Sequence, residues 1–395
     1  MLYYFRIFIS YLLYEFGVRR KDIIIFSGYK NLKYNFNSRY LFEFFLEKKI
    51  KFKMFFFVID DDNLRRRLNE IVGDYFVTTN SWKDLKLIFS AGTWITSGGL
   101  PIRIPYVNRN RVVVNLWHGL PFKGIGLLNN ENTCLQNLLI YWVYSKYDLF
   151  SSTSELFQQI FARSFSINSK SVKILGQPWN DQLWNENDKY EVLGDIYGDN
   201  LPPFYKVFLY APTWRSGRCT SFFPFKDFSK NRLESFLEKY QLLICLRTHQ
   251  LEANRVKDYV SCKRVLLLNE DRVTDIMSIL NIFDGLISDY SGIIFDYLLL
   301  DRPIILLPYD KEEYTSERSV NFNIDSFEFD PPPYNIDSFF SLLQKAVCCK
   351  CISQKQLRFK NVVHYYIDNN SCQRHYEEIM KLIKMKNNKQ VKKWI

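Results

Sequence analysis

The sequence predicts an α/β protein of two open, mostly parallel sheets, each in a Rossmann-like domain, on three observations. Apolar runs of strand length alternate with helix-period segments from one end of the chain to the other, the pattern of stacked strand-helix-strand units. At 395 residues, with 47% hydrophobic and 17% aromatic content, the chain exceeds one ordinary domain and can bury more than one core. Its polar motifs fall directly after the strand-length runs, where open α/β sheets hold ligands.

Residues 1–21 read as an amphipathic N-terminal segment. Met1 to Val18 is apolar and aromatic, but Arg6 and Glu15 interrupt it and no small-residue cleavage site follows, so neither a signal peptide nor a membrane span is expected. The first domain, 22–170, contains candidate strands at Asp22 to Ser27, Lys53 to Ile59, Thr93 to Thr96 and Val112 to Leu116, with a helix from Ser38 to Glu47. The second, 171–378, contains strands at Val172 to Leu175, Lys206 to Tyr210, Leu242 to Leu246, Arg264 to Leu268, Gly285 to Ser288 and Ile304 to Leu307. Helices are expected there at Asn231 to Tyr240, Val273 to Leu280 and Gly292 to Leu299. The break falls near Ser164 to Ser171, and 379–395 reads as a basic tail. No fixed-period repeat and no long low-complexity tract interrupts this plan.

The net charge is +11, and its distribution matters more than its sum. Lys381, Lys384, Lys386, Lys389, Lys392 and Lys393 crowd the last stretch, which ends in Trp394 and Ile395. Such a tail suits an anionic membrane surface, or is a solvated, frayed terminus. Nucleic acid is not an expected partner, because no helix-turn-helix, zinc-finger or RNA-binding signature accompanies the charge. The eight cysteines offer one C-x-x-C pair, Cys348 and Cys351, without a second pair or a suitably spaced histidine pair. Reduced thiols in a cytoplasmic protein are expected, and no structural metal.

Five segments carry candidate chemistry. Trp117-His118-Gly119-Leu120-Pro121 follows a strand and places an imidazole at a turn; its ordinary pKa of roughly 6.5 suits taking a proton from an alcohol. Gly176-Gln177-Pro178-Trp179-Asn180-Asp181 and Tyr210-Ala211-Pro212-Thr213-Trp214-Arg215 break their strands with proline, exposing backbone N–H groups, and Arg215 adds a cation. Arg247-Thr248-His249 sets a guanidinium beside a second imidazole, apt for a diphosphate. Ser288-Asp289-Tyr290-Ser291-Gly292 opens a helix through Asp296, with Ser291 as the expected N-cap of a phosphate cradle that lacks any Walker or G-x-G-x-x-G sequence. Each has a bland alternative: packing for His118, a pair with Glu252 for Arg247, a simple cap for Ser291, surface acids for Asp289 and Asp296. Their coincidence at one edge of the expected sheets favours function. His364 and His375 lie elsewhere and are expected to be structural.

Together the five segments resemble the CDP-glycerol glycerophosphotransferase family, the teichoic-acid and capsule polymerases and primases of bacteria. The resemblance runs from about Asp22 to Arg374. It takes in Ile25-Phe26-Ser27, Asn37-Ser38-Arg39-Tyr40, Lys123 and Gly126, Phe295-Asp296, Asp301-x-Pro303, and Tyr309-Asp310 ahead of Glu313-Tyr314. It implies a GT-B-like architecture, two Rossmann-like domains facing a cleft, with the CDP-alditol donor held mainly by the C-terminal half and a polymer or lipid-linked acceptor approaching from the N-terminal half. It implies direct displacement at the β-phosphate with CMP as product. It places the two essential histidines at His118 and His249, and donor contacts at Trp117, Gly119, Leu120, Pro121, Thr213, Trp214, Arg215, Arg247, Thr248, Ser291, Gly292 and Asp296.

Two positions depart from the family pattern: Trp179 stands where arginine is usual, and Gly292 where a second serine is. Both touch expected donor contacts and leave glycerol, ribitol or another phosphoryl-linked unit open. No cofactor is obligatory on this reading, and Mg²⁺ enters only with the donor diphosphate. His118 is the expected general base, with His249, Arg247 and the helix start at Ser291 stabilising phosphate charge. The rivals are a nucleotide-sugar glycosyltransferase on the same architecture and a non-catalytic, membrane-bound assembly factor. The expected location is the cytoplasmic face of the membrane, as a peripheral protein.

Overall fold

The computed structural model describes residues 2–48, 54–213, 215, 220–248, 262–317, 319–322, 329–348 and 352–391. The chain divides into two compact units: Met1–Leu120 with Gly126–Asp181 and Asp368–Ile395, and Pro121–Ile125 with Gln182–Ile367. Each is a Rossmann-like α/β domain.

The first unit has a seven-stranded sheet, β1 (Arg20–Ser27), β2 (Met54–Val58), β3 (Phe76–Val77), β4 (Ala91–Thr96), β5 (Val112–Asn115), β6 (Leu149–Ser152) and β7 (Val172–Ile174). Its order is β3-β2-β1-β4-β5-β6-β7, with parallel pairing throughout. Because side chains alternate along a strand, β1 feeds both faces of the sheet. Ile24 and Phe26 pack with Leu41, Phe42 and Phe45 of helix α2 (Phe36–Glu47), while Ile23 and Ile25 pack with Tyr11 of α1 (Leu2–Tyr14) and with Leu85, Ile88 and Phe89. Burial on both faces explains why β1 reads as a continuous apolar run.

The second unit has a five-stranded parallel sheet of β8 (Lys206–Tyr210), β9 (Leu242–Leu246), β10 (Val265–Leu267), β11 (Gly285–Ser288) and β12 (Ile304–Leu306), in the order β10-β9-β8-β11-β12. Both sheets reverse direction of growth beside their first strand, β1/β4 in one and β8/β11 in the other. Ligands of such sheets bind outside the strands' carboxyl ends at that reversal.

Several sequence expectations need correction. The border expected at 170/171 moves to Asp181, because β7 pairs with β6 and completes the first sheet. The segment 379–395, expected as a tail, continues the helix Ser371–Val391, whose Cys372, Ile379 and Ile383 are buried against the α2 face of that sheet. Lys386 is committed there, donating to Asp148 at 2.7 Å; residues 392–395 lie outside the described residues. Strands β3 and β6 escape sequence reading because Phe76–Val77 is only two residues long and Leu-Phe-Ser-Ser carries only two apolar residues. The helix expected over Val273 to Leu280 is a 3₁₀ segment, Ile276–Ile282, started by Asp275, whose carboxylate accepts from Met277 N at 3.1 Å.

His364 and His375 are structural. Burial forces each to bond inside its own unit: His364 Nε2–H donates to the Phe295 carbonyl at 2.7 Å, and His375 Nδ1–H to the Ser371 carbonyl at 2.7 Å. Burial pushes both pKa values down to about 4. A folded pKa below the unfolded value of roughly 6.5 means that the unfolded chain takes up protons that the native state refuses. Stability is therefore complete above pH 6.5 and drains as pH falls towards 4, by about 2 kcal/mol per imidazole at pH 5. Urea unfolding at pH 7, 6 and 5 checks this; a constant unfolding free energy across that range contradicts it.

Candidate active site

In the first unit the site is built around His118. Strand β5 ends at Asn115, and the chain turns sharply at Trp117, which adopts a left-handed φ of 57°. Asn115 Oδ1 accepts from Trp117 N at 2.9 Å and helps to fix that turn. His118 is half-buried, and its Nδ1 lies 2.8 Å from the carbonyl oxygen of Ser97, just past β4. A carbonyl can only accept, so Nδ1 carries the proton and Nε2 of the neutral ring keeps its lone pair. The imidazole stacks on Trp117 at 4.3 Å and has Tyr29 at 5.4 Å and Phe36 at 5.6 Å. Burial lowers its pKa, opposed by the Ser97 bond, so the ring is neutral at pH 7.

Asn37 joins this turn to the next motif. Fully buried, it donates to the Trp117 carbonyl at 3.1 Å and to Gln177 Oε1 at 3.2 Å, and it accepts from Trp179 N at 3.1 Å. Gly119 has φ +117°, and a Cβ there would stand 3.4 Å from the Trp179 indole. Trp179 therefore packs over the His118 turn and against Phe36, filling with apolar surface the position where arginine was expected. Asp181 ends the same motif by accepting from the N–H groups of Ser371 and Cys372 at 2.9 and 2.8 Å, which caps the helix Ser371–Val391.

In the second unit, Thr213, Asp289 and Ser291 gather at the β8/β11 reversal. Asp289 is buried and accepts from Thr213 N (2.8 Å), Thr213 Oγ1 (2.6 Å), Tyr290 N (2.6 Å) and Arg215 Nη2 (2.9 Å). Arg215 also pairs with Asp310 through Nε at 2.7 Å and Nη2 at 2.8 Å, and lies over the rings of Tyr290, Tyr309 and Tyr314. Sequence reasoning offered this guanidinium to the donor; in the structure two carboxylates neutralise it, and it braces the turn.

Arg247, beside β8 at the end of β9, donates to the carbonyls of Val273 (2.6 Å) and Leu268 (3.3 Å). It thus pins the connection after β10, and the pair with Glu252 falls outside the described residues. Thr248 is buried, and its hydroxyl has no partner among the described residues. Ser291 does not cap the following helix: the N-cap is Gly292, without a side-chain hydrogen bond, and the helix Ile293–Tyr297 is short. Asp296 is buried within it.

Pro121 belongs with the second unit. Its carbonyl and that of Lys123 accept from Asn321 Nδ2 at 3.0 and 2.7 Å, Lys123 bridges Val320, and Phe122 meets Tyr290 at 5.9 Å. The structure thus groups Trp117, His118, Gly119 and Leu120 in one unit and Pro121, Thr213, Arg215, Arg247, Thr248, Ser291, Gly292 and Asp296 in the other. Trp214 and His249 lie outside the described residues. Among the described residues no group of three or more His, Cys, Asp or Glu side chains is placed to hold a metal ion.

The family model for CDP-glycerol:poly(glycerophosphate) glycerophosphotransferase matches residues 9–381. The chain belongs to that family. Among its relatives, a teichoic acid poly(glycerol phosphate) polymerase of Bacillus spizizenii is 29% identical over 75% of this chain and 76% of its own length. A Staphylococcus epidermidis protein of the same description is 26% identical over 76% of this chain but only 42% of its own length, and a Bacillus subtilis one is 27% identical over 75% and 40%. The chain thus spans less than half the length of those two relatives. A poly(ribitol-phosphate) polymerase of Bacillus spizizenii is 26% identical over 89% of this chain and 54% of its own. By fold, a variant of the wall teichoic acid polymerase TagF soaked with CDPG matches with a TM-score of 0.76 at 23% identity, covering 96% of this chain and 93% of that one. A putative UDP-N-acetylglucosamine 2-epimerase from Listeria monocytogenes matches at 0.54 and 11% identity, over 90% of this chain and 97% of that one.

Within the family frame, three residues escaped assignment from sequence: Asn37, the Ser97 carbonyl and Asp310. Asn37 and Asp310 sit inside segments that carry the family resemblance, which is a usable signal. The Ser97 carbonyl leaves none, because any residue offers a backbone oxygen.

Proposed function

We propose that the chain transfers glycerol phosphate, or ribitol phosphate or a related unit, from a CDP-activated donor to a hydroxyl of a growing teichoic-acid-like or capsular polymer, releasing CMP. The observation that carries this reading is the fixed tautomer of His118: Nδ1–H is held by Ser97, so Nε2 is the base. In the step proposed, the acceptor oxygen forms a bond to the donor's β-phosphorus as the bond from that phosphorus to the bridging oxygen of CMP breaks. The acceptor proton passes to His118 Nε2, and the electron pair leaves with CMP. Such transfers depend on positioning and on charge neutralisation. His249, Arg247, Thr248, Thr213 and the turn at Ser291–Gly292 are assigned to the donor phosphates and nucleoside, and Mg²⁺ enters only with the diphosphate.

The test is a donor panel of CDP-glycerol, CDP-ribitol and nucleotide sugars with an oligomeric polyol-phosphate acceptor. CMP released from a CDP-alditol supports the reading. A nucleoside diphosphate released from a nucleotide sugar replaces it with a glycosyltransferase.

We further propose that the protein works as a peripheral protein on an anionic, cytoplasmic membrane surface, docking through the first unit. No described helix is long and apolar enough to cross a membrane. Yet α1 exposes Leu2, Tyr4, Phe5, Phe8 and Leu13, each over half accessible, and the helix Cys134–Tyr144 buries none of its residues while exposing Leu135, Leu138 and Trp142. Amphipathic aromatic surfaces of this kind favour the headgroup boundary. Flotation with anionic vesicles is expected to capture the wild type and to lose a Leu135→Glu/Leu138→Glu variant; equal capture of both removes that helix from the contact.

A further inference from the structure

We infer that Lys30, carried beyond Tyr29 on the loop after β1, binds the phosphodiester of the acceptor's terminal repeat. This rests on the transfer reading above. The loop leaves the carboxyl end of β1 at the reversal of the first sheet, beside His118. Lys30 and Asn31 both adopt left-handed backbone, with φ 58° each. Two successive non-glycine residues in that region are costly, and a turn needing only its shape would be served by glycine or asparagine at position 30. The conformation is held from outside the loop: Asn31 Nδ2 donates to the Pro101 carbonyl at 2.8 Å, and Asn31 O accepts from Asp60 N at 2.7 Å.

This turn lays the Tyr29 ring against His118 at 5.4 Å and sets the Lys30 ammonium 5.1 Å from the centre of the same ring. Tyr29 can lie so close because residue 98 is glycine; a Cβ there would come within 3.1 Å of the tyrosine ring. Tyr29 remains 45% exposed, Lys30 is exposed, and among the described residues Lys30 has no ion pair. The loop therefore sets an aromatic ring and a cation without an ion pair beside the base carried by the turn after β5.

These three groups match the end of a polyol-phosphate chain. In poly(glycerol phosphate) the terminal hydroxyl and the nearest phosphorus are separated by five covalent bonds, roughly 6 Å at ordinary bond lengths. With the hydroxyl at His118 Nε2, the polyol lies along Tyr29 and the anionic diester reaches Lys30. A cation there selects acceptors that already carry a phosphodiester, so chain extension is favoured over addition to a neutral alcohol.

The experiment uses the full chain and the variants Lys30→Gln, Lys30→Gly and Lys30→Arg, with oligo(glycerol phosphate), oligo(ribitol phosphate) and a neutral 1-O-alkylglycerol as separate acceptors. Lys30→Gln is expected to raise KM for the phosphodiester acceptors roughly 3- to 10-fold at low salt, leaving donor KM and the alkylglycerol reaction unchanged, and Lys30→Arg is expected to restore most of the loss. Lys30→Gly, which suits φ 58°, is expected to melt no lower than wild type while losing the same acceptor affinity, a split that a purely structural lysine does not produce. Wild-type acceptor KM in both Gln and Gly variants, or an equal penalty with alkylglycerol, overturns the assignment. Calorimetric binding of oligo(glycerol phosphate) without donor reads Lys30 independently of turnover: if no donor releases CMP, weaker binding by Lys30→Gln sustains the subsite while the transfer reading fails, and equal binding rejects the subsite.

Discussion

Replacing His118 by asparagine is expected to lower turnover about 10²- to 10⁴-fold while the protein keeps its fold and its donor affinity. Asparagine retains a side-chain N–H that can meet the Ser97 carbonyl, but it has no basic nitrogen at the position of Nε2, so the loss falls on proton removal. The pH profile sharpens the expectation. Burial lowers the His118 pKa, and the Ser97 bond opposes that only in part. The neutral ring is the active form, so kcat/KM is flat around neutrality and falls as pH drops through a value below the ordinary 6.5. A His118→Asn enzyme of wild-type rate, or a wild-type acid limb centred above pH 7, is incompatible with the assignment. Profiles should be read where circular dichroism shows the fold intact, because burial of His364 and His375 erodes stability in the same acid range.

Replacing Glu15 by alanine is expected to cost about 3–5 kcal/mol of stability. Glu15 and Arg111 are both fully buried and paired through two bonds, Nη1 to Oε1 at 2.7 Å and Nη2 to Oε2 at 2.8 Å. Asn108 N also donates to Oε1 at 2.7 Å, and Arg19 lies beside Oε2 at 3.4 Å. Arg111 lies over Trp94 at 3.7 Å, and burial lowers its pKa to about 10 against the pull of Glu15. Removing the carboxylate leaves two buried guanidinium groups without their shared counter-charge. The cost comes from the orphaned charges, because a desolvated pair itself contributes little net stability. The double change Glu15→Leu/Arg111→Met should therefore recover part of the loss, with Arg19 still buried without its counter-charge. Chemical denaturation of the single and double variants decides this, and a single variant within 1 kcal/mol of wild type defeats it.

These two residues also mark how far the chain could be read without coordinates. Glu15 looked like a charge interrupting an apolar N-terminal segment, because local periodicity cannot anticipate a partner 96 positions away. Its burial makes the first helix an integral part of the first unit. The same limit misplaced the C-terminal border. The lysines of the last helix dominate its composition, whereas Ile379 and Ile383, one turn apart, decide its packing.

The sequence by itself determined the fold class, ten of the strands and the position of His118 at a strand's carboxyl end, because apolar period and strand-ending turns are local properties written into adjacent residues. Tertiary structure alone decided what each polar group does: that Ser97 orients His118, that Asn37 locks its turn, that Arg215 is consumed by Asp289 and Asp310, and that Lys30 is left uncommitted beside Tyr29. The physical reason is that a side chain's chemistry depends on its desolvation and on the partner it meets, and those partners come from segments far apart in the chain.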